Sequence, residues 1–81
     1  MEKYYLIIPS VTTAQRFSKM LAGEGIRASY IHTPQKIAKT GCSYSIIIST
    51  KLLQCAVDVA DKNKLQIKGI YKKVGDEFEK Q

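Results

Sequence analysis

Residues 3–25 read KYYLIIPSVTTAQRFSKMLAGEG, and the organisation of the chain follows from them. KYYLII is apolar and β-prone at nearly every position, so both faces of the strand it forms are buried and the strand is central in its sheet. Pro9-Ser10 closes it. The spacing predicts a helix from Thr12, where Thr12-x-x-Gln15 fits a capping box. Ala14, Phe17 and Leu21 recur at helical intervals with Met20 beside them, and Gly23 and Gly25 end the run.

Beyond that stretch the periodicity switches back to two. In residues 26–32, Ile26, Ala28, Tyr30 and His32 share one face, with Arg27, Ser29 and Ile31 on the other. Thr33-Pro34 stops the strand, and residues 35–42 (QKIAKTGC) form a loop pinned only by Ile37. YSIIIS at 44–49 is a third strand. Thr50 is placed to cap a second helix with a stripe of Leu53, Ala56, Val57 and Ala60, flanked by Leu52, Cys55 and Val59, and Asn63 ends it. Residues 65–74 read as a fourth strand, and 75–81 as a polar, frayed tail. The order is βαββαβ. It predicts an α+β, ferredoxin-like fold: a four-stranded antiparallel sheet with two helices on one face, in one domain over 1–74. Right-handed crossovers bring the 35–42 loop to the end of the sheet where the first helix starts, near Ser10, Thr12 and Thr13.

Composition narrows the function. With 81 residues, 44% of them hydrophobic and 25% charged, the chain has a small globular core. That size argues against an autonomous enzyme. Two cysteines and one histidine argue against a metal site or a disulfide framework. No run is long and apolar enough for a membrane span, and no secretory leader pattern is present, so a cytoplasmic location is expected. The net charge of +6 keeps a small domain soluble and also suits nucleic acid, an anionic substrate or an acidic partner.

The residue that carries chemistry is Cys42. A helix N-terminus holds unpaired N–H groups and partial positive charge, which favour a thiolate. Lys36 and Lys39 add charge from the loop itself, and Gly41 and Ser43 flank the cysteine with small groups. An exposed thiol with a depressed pKa is the expected result, the state needed for sulfur chemistry. The plainer reading is a small residue filling a gap at a strand end. Cys55, on the flank of a helical stripe, reads as a small buried hydrophobe. His32 reads as an exposed strand-end residue within reach of orienting a ligand or tuning the thiol.

Taken in order, KYYLIIPSVTTAQRFSKML, GIRASYIHTPQKIAKTGC and LQIKGIYK are similar to the strand-turn-helix opening, the Pro-x-x-Ile loop with its cysteine, and the closing Gly-Ile-Tyr segment of one family. The chain resembles the selenium/sulfur carrier protein-like family, small bacterial and archaeal domains, over 3–74. Cys42 falls on the hallmark cysteine and Pro34, Ile37 and Gly41 on its loop, while Gln35, Ala38 and Ser43 depart from the pattern. The resemblance implies a carrier without a resident cofactor, in which Cys42 holds sulfur or selenium as a persulfide or selenylsulfide. Its anion-binding residues would be Gly41, Ser43, Lys36, Lys39, Ser10, Thr12 and Thr13, and its partners a donor or acceptor enzyme. A redox-sensing thiol would need the same chemistry. Two other readings stand beside it. One is RNA binding, with Tyr4, Tyr5 and Tyr44 as stacking aromatics on the first and third strands. The other is a small-ligand or partner-binding module. An apolar sheet face away from the helices is expected to be open, and so to make a homodimer or dock a partner.

Overall fold

The computed structural model describes residues 3–37 and 43–81. Five strands and two helices follow in the order β1 (Lys3–Ile8), α1 (Val11–Gly23), β2 (Ser29–His32), β3 (Tyr44–Ser49), a 3-10 turn (Thr50–Leu52), α2 (Leu53–Lys62), β4 (Gly69–Val74) and β5 (Glu77–Lys80). The sheet order is β2-β3-β1-β4-β5, with every neighbouring pair antiparallel. The first four strands have the expected ferredoxin-like arrangement, with β1 central. The sheet has five strands rather than four, because the segment expected to fray is paired.

That fifth strand comes from a tight hairpin. Val74 faces Glu77 across two residues, and Gly75 takes φ 62° while Asp76 stays on the negative side. Glycine in the first central position is the requirement of a type II′ turn, whose twist suits a hairpin. Phe78 then sets its ring edge-on to Tyr5 at 5.1 Å between centroids. One aromatic contact, between buried Tyr5 and half-buried Phe78, and a suitable turn offset the polarity of the segment.

Strand alternation assigns the two faces. Leu6, Ile8, Ile46 and Ile48 point toward the helices and join Ala14, Phe17, Leu21, Ile26, Ala56 and Ala60 in the core. The helices end alike. Ile26 N–H donates to the Leu21 carbonyl and Gly25 N–H to that of Ala22; Leu65 N–H donates to Ala60 and Lys64 N–H to Asp61. Each is a Schellman closure. It drops an apolar residue, Ile26 or Leu65, onto the core, so regular pairing begins later than alternation predicts, at Ser29 and Gly69. Lys64 takes the left-handed position, φ 57°, that Gly25 fills in α1.

The opposite face carries Tyr5, Ile7, Ser45, Ile47, Tyr71 and Phe78. It is apolar, as expected, but its centre is not open. Tyr5 is 7% exposed, Ile7 8% and Ser45 0%. The β2–β3 connection helps to cover it. Ser45 Oγ donates to Thr33 Oγ1 at 3.0 Å, and Lys36 Nζ donates to the Asp76 carbonyl at 2.7 Å. Thr33 stands at the end of the sheet where β1 finishes, and Asp76 at the end where β1 starts. With α1 and α2 on the other side, residues 33–36 run back across the helix-free face. No helix among the described residues is long and apolar enough to cross a membrane.

Candidate functional site

The start of α1 is built by Ser10, not Thr12. Ser10 is extended (φ −143°, ψ 157°), and its Oγ accepts from Thr13 N–H at 3.3 Å. The same hydroxyl donates to Thr13 Oγ1 at 3.0 Å, and the Ser10 carbonyl accepts from Ala14 N–H at 3.0 Å. The cap therefore falls two residues earlier than the Thr12 capping box predicts, and Thr12 is an exposed residue of the first turn. The amides of Val11 and Thr12 have no partner within the helix. They carry the positive end of its dipole.

The roots of the β2–β3 connection stand at this same end. Ile8 pairs with Tyr44, His32 pairs with Tyr44 from the other side, and Thr33 N–H donates to the Ser43 carbonyl at 3.0 Å. Ser43 and the Ser10–Thr13 pair thus lie at one end of the sheet. Lys36 does not join them. Pro34 turns the chain, with Ile37 N–H donating to the Pro34 carbonyl at 2.9 Å, and the Lys36 ammonium ends on Asp76. The reason is the path of residues 33–36, which fold over the sheet instead of standing beside the helix. Lys39, Gly41 and Cys42 lie outside the described residues.

Two side chains at this end gain a relation that the sequence reading did not assign. Tyr44 and His32 face each other in register; their rings are 4.4 Å apart at 32°, with the Tyr44 hydroxyl 3.3 Å from His32 Nε2. Tyr30 adds an edge contact to Tyr44 at 6.3 Å. The signal was available in the parity of a hairpin, which puts His32, Tyr30 and Tyr44 on one side.

That parity also bears on the stacking aromatics. Tyr4 and Tyr44 are on the helix side of the sheet, and Tyr5 lies under Phe78. The three tyrosines make no common exposed platform, because adjacent residues of a strand face opposite ways. Cys55 is a further correction: it is exposed. Ala56 and Ala60 alone turn fully into the core from α2, and Cys55 is left in the groove between the helices with Met20, Glu24, Leu52, Asp58 and Val59.

The sequence matches a family model described as Putative Se/S carrier protein-like, over residues 3–72. The chain belongs to that family. The match spans β1 to β3, both helices, the β2–β3 connection and β4 as far as Lys72, and it ends before β5. No curated protein and no solved structure matches the chain.

Proposed function

We propose that the protein carries sulfur or selenium on Cys42 and passes it to a partner enzyme. The observation that carries this reading is the family match across 3–72, which takes in the whole β2–β3 connection and its cysteine. The geometry at the roots of that connection supports it. Ser43, the residue that follows Cys42 in the chain, stands at the α1 end of the sheet. The amides of Val11 and Thr12, which have no partner within the helix, and the charge of Lys39 in the connection itself favour a thiolate and its anionic adduct. Lys36 is left out of this set because its ammonium is engaged by Asp76.

In loading, the Cys42 thiolate attacks the outer atom of a donor persulfide, R–S–SH. One S–S bond forms on Cys42 as the donor S–S bond breaks, and R–S⁻ leaves with the electron pair. A donor selenylsulfide, R–S–SeH, transfers its selenium by the same displacement. Delivery is the reverse attack by an acceptor thiolate.

The test is loading of the protein with a persulfide donor, followed by cyanolysis and peptide mass spectrometry. Cys42→Ser is expected to lose the labile sulfur with an unchanged circular dichroism spectrum, and Cys55→Ser to retain it. Because Cys55 is exposed, the adduct must be located by peptide. Sulfur retained by Cys42→Ser, or found on Cys55, overturns the reading. A Cys42 that oxidises with peroxide but accepts no sulfur points to a redox sensor instead.

A further inference from the structure

We propose that the helix-free face, at the end where β1 starts and β4 and β5 turn, docks an acidic segment of a partner protein. The proposal rests on strand register and charge, and it stands whether or not Cys42 carries sulfur.

Lys3 and Lys73 are directly opposite each other on neighbouring strands, both on the helix-free face. Lys80 faces Tyr71 on that same face, one strand further out. Lys36 arrives from the β2–β3 connection and ends on the Asp76 carbonyl, three residues along from Lys73. Four cations therefore gather from four separate parts of the chain. Asp76 lies in the turn at this end, and the two glutamates of β5 are sorted the other way. Glu77 and Glu79 alternate with Phe78 and Lys80, so both carboxylates of β5 belong to the helix side. Among the described residues, none of these four lysines is paired with a carboxylate.

Like charges directly opposite in a ladder destabilise a sheet. Here the register imposes that repulsion, and among the described residues no carboxylate pairs with either lysine to relieve it. A ligand with negative charge would. The half-buried rings of Tyr71 and Phe78 lie between the lysines and offer apolar contact. The complement is a segment in which Asp or Glu alternates with apolar residues.

Other occupants fit less well. Single-stranded RNA gains its affinity from bases stacked on open aromatic faces, and Tyr5 is covered by Phe78. A second copy, docking through the face expected to form a homodimer, would set Lys3, Lys73 and Lys80 against their own equivalents in a chain of net charge +6.

The test is fluorescence anisotropy with two probes of equal charge, a labelled peptide of alternating glutamate and leucine and a labelled oligouridine. The peptide is expected to bind at low salt and to weaken as salt is raised. Lys3→Glu and Lys73→Glu should each weaken it about tenfold or more. Each also turns a repulsive cross-strand pair into an attractive one, so both variants should melt no lower than the parent protein. Lys62→Glu, the same charge change on α2, should keep the affinity. Equal losses in all three variants, tighter binding of oligouridine, self-association that displaces the peptide, or no binding at low salt would each overturn the proposal.

Discussion

Lys64 is the residue whose backbone is least suited to its side chain. It sits at φ 57°, where a Cβ is disfavoured, because Leu65 N–H and Lys64 N–H must both turn back onto the end of α2. Replacing it by glycine is expected to raise unfolding stability by about 1 kcal/mol in urea titrations, and Gly25→Ala to lower it by about the same amount. The α1 closure was legible because glycine announces it. The α2 closure was hidden because a lysine occupies the same position and only the hydrogen bonds reveal it. Cys55 misled for a related reason. An apolar flank reads as buried when the stripe is taken as wide, and here only Ala56 and Ala60 turn fully inward.

Among the elements, β5 is the one that sequence periodicity missed. GDEFEKQ contains a single large apolar residue, and no hydrophobic alternation can be counted on one member. The turn signal was present in Gly75-Asp76, and the value of Phe78 became visible only with Tyr5 beneath it. Removal of 75–81 is expected to cost about 2 kcal/mol of stability, with Phe78→Ala giving most of that loss. A truncation that melts at the parental temperature would show the hairpin to be ornamental. The other strands and both helices were legible because each has several apolar residues at its own period. Strand starts were not, since Ile26 and Leu65 leave the alternation to close a helix.

At the scale of the whole molecule, the sheet sorts charge between its two faces. A protein of net charge +6 with Lys3 opposite Lys73 is expected to gain stability as moderate salt screens the repulsion, and thermal melts across a salt series measure this. A flat or falling salt profile would mean that the lysine cluster carries little repulsion. The candidate site was legible in part. Topology predicts that residues 35–42 lie near Ser10–Thr13; Ser10, Thr13 and Ser43 stand at that end of the sheet, and 38–42 lie outside the described residues. It placed Lys36 at the wrong end, because this stretch has no period to read and nothing in it shows that the ammonium meets the Asp76 carbonyl.

The central position of β1 has a kinetic consequence. Its two ladder partners, β3 and β4, follow it in the chain after one helix and after both, and Lys3 meets Lys73 across nearly the whole domain. During synthesis KYYLII emerges before its partners and waits. No sheet can close around it until β4 is free, so native structure forms late and all at once rather than growing from the N-terminus. In that interval the most apolar strand of the protein is a bare edge on both sides, the segment through which a newly made chain would aggregate or be held by a chaperone.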